Sequence, residues 1–200
     1  MKIILIYTPR SGSTSILKYF SKLKPDYSCY NEPWFDWMRE NLYKEVIDYQ
    51  QVISKDNVFV KSAIKTLPVP LEQIIMDFDK VIFLLRRNKQ DQIESAALLT
   101  RENSYLNYTK RKYWVDSINE EEFNHLNDRY DTLNDIIVKA SQDFNKTLYY
   151  YEDLYHGDFS PLFNELDIHH DEEVFNKFLH VKNKYRLKNE METKRDKTLL

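Results

Sequence analysis

The chain opens with an apolar stretch, Lys2-Ile3-Ile4-Leu5-Ile6-Tyr7-Thr8, that runs directly into Pro9-Arg10-Ser11-Gly12-Ser13-Thr14. One cation, one glycine and three hydroxyls in consecutive positions suit the chemistry of holding an oxyanion. A glycine lets the backbone turn tightly, so successive amide hydrogens and the open first turn of a following helix converge on one anion. Ser11, Ser13 and Thr14 add hydroxyl donors, and Arg10 adds charge. A Walker loop needs two glycines around four residues and a lysine after the second. Here Gly12 stands alone and no lysine follows it, so the loop is expected to cradle a nucleotide other than ATP.

Three more groups carry chemistry. In Lys80-Val81-Ile82-Phe83-Leu84-Leu85-Arg86-Arg87, Arg87 stands where a strand ends, and Ser95 lies two helical turns further on. If that helix folds back over the crevice, the two make a second anion site. Glu32 lies in Tyr30-Asn31-Glu32-Pro33-Trp34-Phe35, where Pro33 suits the first turn of a helix; an acid at this place serves as cap, dipole partner or base. Tyr149-Tyr150-Tyr151-Glu152-Asp153-Leu154 sets aromatic rings at the end of another apolar run, where they could flank a nucleobase. Lys61 adds a cation beside a further strand.

The elements that must position these groups alternate. Strand-like runs cover residues 2–8, 57–62, 80–85 and 146–151, and helical spacing covers 15–23, 34–52, 71–77, 89–100 and 120–143. Residues 158–180 read as one or two short helices, and 182–200 as a charged, flexible tail. Alternating strands and helices imply an α/β fold with a central parallel sheet in a single domain over residues 1–181. Ligands of such sheets sit beyond the carboxyl ends of the strands, where strand order reverses.

Composition narrows the function classes. A chain of 200 residues suits one domain that buries roughly 70% of its unfolded surface. A net charge of −3 argues against a broad basic surface for nucleic acid. Cys29 is the only cysteine, which excludes an internal disulfide and fits a reducing compartment. The N-terminal apolar run is too short for a signal segment or a membrane span, so a cytoplasmic protein without membrane contact is expected. His125, His156, His169, His170 and His180 show no zinc-ligand spacing, and no Gly-x-Ser-x-Gly elbow occurs; no metal site is expected and a hydrolase has no support.

In their order along the chain, these groups resemble the sulfotransferases that use 3'-phosphoadenosine 5'-phosphosulfate (PAPS). The match covers about residues 1–155: Arg10 to Thr14 against the family's 5'-phosphosulfate loop, Lys61 to Pro68 against its second strand and exit, Arg87 with Ser95 against its 3'-phosphate motif, and Tyr151-Glu152-Asp153-Leu154 against its Tyr-Glu-Asp-Leu segment. The loop followed about twenty residues on by Glu32-Pro33 is similar to the carbohydrate-type members. The resemblance implies a P-loop-type three-layer α/β/α fold and sulfuryl transfer to a hydroxyl of a small-molecule or glycan acceptor, leaving 3',5'-adenosine bisphosphate, with no metal. It implies Glu32 as general base, with Arg10 and Lys61 as cations over the transferred group. Arg10, Ser11, Gly12, Ser13, Thr14 and Ser15 would hold the 5' side, Arg87 and Ser95 the 3'-phosphate, and Tyr151 the adenine. The chain departs from the family in three places. No histidine follows Lys65-Thr66, Ser15 stands where the family has a stacking tryptophan, and the glycine-rich C-terminal loop is missing, with Lys182, Lys184 and Arg186 read either as its electrostatic substitutes or as a solvated tail. A P-loop kinase of a small metabolite and a non-catalytic nucleotide-binding module stay open as alternatives. Trp34, Phe35 and Trp37 next to Glu32 would form an apolar wall for the acceptor.

Overall fold

The structure is a computed structural model that describes residues 1–38, 40, 43, 47–102, 120–155 and 158–169. Five strands form one sheet: β1 (Lys2–Tyr7), β2 (Ser28–Asn31), β3 (Val58–Ala63), β4 (Lys80–Leu85) and β5 (Leu148–Tyr150). All neighbours pair in parallel, in the order β2-β3-β1-β4-β5. Parallel strands covered on both faces read as continuous apolar runs, because neither side meets water; Ile3 to Ile6 of β1 are all buried.

Helices α1 (Ser13–Leu23), α2 (Asp36–Met38), α3 (Tyr49–Ile53), α4 (Leu71–Asp77), α5 (Lys89–Glu102), α6 (Glu120–Asp143), α7 (Tyr151–Tyr155) and α8 (Ser160–Glu165) complete the described elements. The strand period of two sorts them into layers. Ile3, Leu5, Phe59, Ile82 and Leu84 face Ile16 and Phe20 of α1, Leu154 of α7 and Phe163 of α8. Ile4, Ile6, Val58, Val60, Val81 and Phe83 face Val52 of α3, Ile74 of α4 and Ile137 of α6. The expected three-layer α/β/α fold with a central parallel sheet is thus present. Ile93 of α5 packs apart from both cores, with Leu126 and Tyr130 of α6.

Several expected elements change. Ser28–Asn31 is a strand that the apolar pattern did not mark, and it is half-buried at the sheet edge. The helical spacing over 34–52 does not give one helix: Ile47 and Asp48 are not helical. Asp48 instead starts α3 with a capping box, its side chain accepting from the Gln50 amide at 2.8 Å while Gln51 reaches back to the Asp48 amide. Tyr151–Tyr155, read as strand end and exit, forms α7. Of residues 158–180, Ser160–Glu165 are helical; residues 170–200, with the expected tail and its cations Lys182, Lys184 and Arg186, lie outside the described residues, as do His156, His170 and His180.

The chain leaves β1 by α1 on one face and β4 by α5 and α6 towards the other, so strand order reverses between β1 and β4. Among the described residues no helix is long and apolar enough to cross a membrane, and no group of three or more His, Cys, Asp or Glu side chains has a metal-holding arrangement.

Candidate active site

The turn after β1 is built from two left-handed residues. Arg10 has φ 71° and Gly12 has φ 83°, and Gly12 is the residue that caps the N-terminus of α1. The glycine also serves a close approach. A Cβ placed on it would lie 2.5 Å from Cδ2 of Tyr151. Tyr151 stacks on Tyr155, with ring centroids 4.3 Å apart, and the Tyr155 hydroxyl donates to the Gly12 carbonyl at 2.9 Å. Helix α7 thus clamps the turn.

From β4 come two more supports. The buried Gln92 of α5 donates through Nε2 to Thr8 Oγ1 at 3.0 Å and to the Pro9 carbonyl at 2.7 Å, and the Arg86 guanidinium lies 3.4 Å from the Arg10 carbonyl and 4.8 Å from the Tyr151 ring centre. Arg10 Nε in turn donates to Ser95 Oγ at 2.7 Å. Inside the turn, Ser11 is fully buried, and its hydroxyl has no hydrogen-bond partner among the described residues. A buried hydroxyl is seldom left so unless something else is to meet it, and an oxyanion in the cradle would do so.

A lysine reaches the turn from the sheet. Lys61 is the fourth residue of β3, paired with Leu5 and Asn31, and its side chain runs up the α1 face of the sheet. It is 2% exposed. Its ammonium donates to Thr14 Oγ1 at 3.0 Å, Asn31 Oδ1 at 2.7 Å and Glu32 Oε1 at 3.2 Å, and lies 4.8 Å from the Tyr7 ring centre. All three of its protons are used. Burial pulls its pKa below the usual lysine value, opposed by the Glu32 charge.

Glu32 follows β2 directly, at φ 50°, with its amide donating to the Lys61 carbonyl at 2.7 Å. The Tyr7 hydroxyl, at the end of β1, donates to the same Oε1 that Lys61 holds. Burial first, and then the adjoining Glu32 carboxylate, push the Tyr7 phenol well above its ordinary pKa, so it stays a donor. Glu32 Oε2 accepts no hydrogen bond from a described residue. The carboxylate is therefore fixed by one oxygen and open at the other.

The remaining residues fall differently from the sequence pattern. Arg87 and Ser95 are not brought to each other: Ser95 meets Arg10, while half-exposed Arg87 pairs with Asp153 through both guanidinium nitrogens and lies 3.9 Å from the Tyr150 ring centre. Glu152 accepts the amides of Arg87 and Asn88 at 2.9 Å each, closing the turn between β4 and α5. The Tyr151 ring, expected at the adenine, already packs on Tyr155, Gly12 and Arg86. Ser15 lies on the first turn of α1, where its amide donates to the Gly12 carbonyl at 3.1 Å. Tyr7, Asn31, Arg86, Gln92 and Tyr155 were missed. The adjacent Arg86-Arg87 pair carried a signal for one of them; a tyrosine ending an apolar strand carries none.

A cleft of about 500 Å³ is walled by Trp34, Phe35 and Asp36, a few residues along the chain from Glu32, and by Asp48, Tyr49 and Lys65. Trp34 and Tyr49 make a tilted ring pair at 5.6 Å. The Trp37 side chain lies outside the described ones.

The fold defines the class, an α/β protein with an all-parallel sheet and a left-handed, glycine-containing turn at the strand-order reversal. Neither a family model nor a curated protein matches the chain.

Proposed function

We propose that the protein is a PAPS-dependent sulfotransferase that moves a sulfuryl group to a hydroxyl of a carbohydrate or other small acceptor. The observation that carries this reading is the Lys61 ammonium, bonded at once to Thr14 at the anion cradle and to Glu32, whose second oxygen is open. It joins an anion seat, a buried cation and a half-free carboxylate within one side chain's reach. Those are the parts of an in-line transfer between two oxygens, in which catalysis is positioning and neutralisation of charge.

In this reading the acceptor hydroxyl gives its proton to Glu32 Oε2 as its oxygen bonds to sulfur. The bond from sulfur to the bridging oxygen breaks, and the electron pair stays on the 5'-phosphate of 3',5'-adenosine bisphosphate. Arg10, the amides around Gly12, and the hydroxyls of Ser11, Ser13 and Thr14 receive that charge, with Lys61 beside them. The 3'-phosphate falls to Arg87, which exchanges Asp153 for it, and to Ser95 beside Arg10. Tyr151 is the ring assigned to the adenine. No step needs a metal.

Thermal shift tests the donor: 3',5'-adenosine bisphosphate should raise the unfolding temperature and ATP with magnesium should not. A larger shift with ATP would favour a P-loop kinase and overturn the proposal. Glu32→Gln should keep the bisphosphate shift and lose about 100-fold to 10,000-fold in transfer of labelled sulfate. Unchanged turnover would remove Glu32 from the base role.

A further inference from the structure

A carboxylate beside an ammonium can lose its use as a base. The lysine stem is long and flexible, so its charge can swing between the two oxygens and occupy the one that should take a proton. Lys61 does not do so. Two of its protons go to Thr14 Oγ1 and Asn31 Oδ1, and it meets Glu32 at Oε1 alone, at 3.2 Å. The Tyr7 hydroxyl donates to that same oxygen. Both donors converge on one side of the carboxylate.

The two donors differ in how firmly they are held. A tyrosine turns about only two side-chain bonds, and Tyr7 ends β1, paired with Ala63 of β3 and Leu84 of β4 and 3% exposed. Its ring also lies 4.8 Å from the Lys61 ammonium. Tyr7 is therefore the fixed point against which both the acid and the lysine are set. Glu32 needs such a point, because a residue with a Cβ keeps φ 50° only where its surroundings over-determine it. The Lys61 carbonyl holds its backbone by accepting the Glu32 amide at 2.7 Å, and Tyr7 with Lys61 holds its side chain. Burial and then the Glu32 charge keep the phenol well above its ordinary pKa, so Tyr7 retains its proton and does not compete as a base.

We infer that Tyr7 is the positioning residue of this site: its hydroxyl pins Glu32 Oε1, which reserves Oε2 for the acceptor's proton and leaves Lys61 directed at Thr14. The use of Oε2 rests on the proposed sulfuryl transfer. The pinning bond does not, and it is measurable without a nucleotide. During transfer the acceptor's proton goes to Oε2, and the phenol proton stays on Tyr7.

Tyr7→Phe removes one oxygen and keeps the ring against Lys61. With labelled PAPS and the best acceptor from a panel of methyl glycosides and phenols, its kcat should fall about tenfold to 100-fold, the contribution of one hydrogen bond to a charged group. KM for PAPS and the thermal shift with 3',5'-adenosine bisphosphate should stay at wild-type values. A loss confined to KM, or no loss at all in an active enzyme, would overturn the positioning role. Proton NMR of the full chain reads the bond by itself, since a phenol proton buried against a carboxylate exchanges slowly enough with water to be seen. That resonance should vanish in Tyr7→Phe and move upfield in Glu32→Gln. A wild-type spectrum without it, or a resonance that Glu32→Gln leaves in place, would overturn the inference whatever the kinetics. If circular dichroism shows Tyr7→Phe unfolded, the resonance in Glu32→Gln decides. A wild-type protein that the bisphosphate does not stabilise and that transfers to no acceptor would overturn the sulfuryl reading and the use of Oε2 with it, while the resonance still reports the bond, so the two failures are told apart.

Discussion

Gly12 is held by two constraints that act together. Its φ of 83° is costly for any residue with a Cβ, and that Cβ would meet the Tyr151 ring at 2.5 Å. Gly12→Ala should therefore destabilise the protein by about 1–3 kcal/mol, read from urea unfolding, and should weaken bisphosphate binding because the ring must move off the turn. A loss well under ~1 kcal/mol would mean that the turn is not clamped. At this scale the sequence was legible where spacing is local: a lone glycine between an apolar strand and a helical run announces the left-handed turn that Gly12 makes. It was illegible where partners come from separate strands. The sequence singled out Arg87 at the strand end but gave no sign of its pairing with Asp153, nor that the neighbouring Arg86 reaches the Arg10 carbonyl. Lys61 read as a cation carried by the run 57–62, and it does lie in β3, but that its side chain takes the face leading to Thr14 depends on strand pairing that the local pattern does not encode.

At the level of elements, the β4 to α5 connection is closed by a carboxylate from another element. Glu152 of α7 receives the amides of Arg87 and Asn88. Burial works to raise its pKa, but those amides and the Arg86 charge outweigh it and hold the carboxyl below its ordinary value. A folded-state pKa below the unfolded one contributes stability above the unfolded pKa, and that contribution is lost as pH falls through the folded value. Glu152→Gln should thus cost about 1 kcal/mol at pH 7, and the gap to wild type should close below the usual carboxylate range. Urea midpoints at neutral and acid pH check this; a gap independent of pH would remove the charge from the explanation. Helix α6 was legible to its ends, since its apolar spacing is long and regular and Glu120, Glu121 and Glu122 suit its N-terminus. Strand β2 was not, because Ser28-Cys29-Tyr30-Asn31 is short, half-buried and polar at both ends. Its place comes from pairing with β3, which local pattern does not encode.

For the whole molecule, the sheet is most secure at its centre. β1 is paired on both sides and buried on both faces, while β2 and β5 are half-buried edges. Native-state hydrogen exchange should find β1 amides opening only with global unfolding, and β2 amides exchanging at least about tenfold faster. Equal protection would mean that the edges unfold with the core. The alternation of strands and helices made the layers legible, because a parallel sheet needs helical crossovers; the strand order was not, since it depends on which buried faces match at long range.

That central placement has a consequence for Lys61. A lysine carried by a loop stays mobile until its anion arrives, and ordering so long a side chain costs up to about 2 kcal/mol. Here the ammonium is already immobile, bonded on three sides within the best-packed part of the sheet. Its ordering entropy is lost when the chain folds, so the ammonium stands fixed between Thr14 and Glu32 before any ligand comes, and binding there has no lysine left to organise.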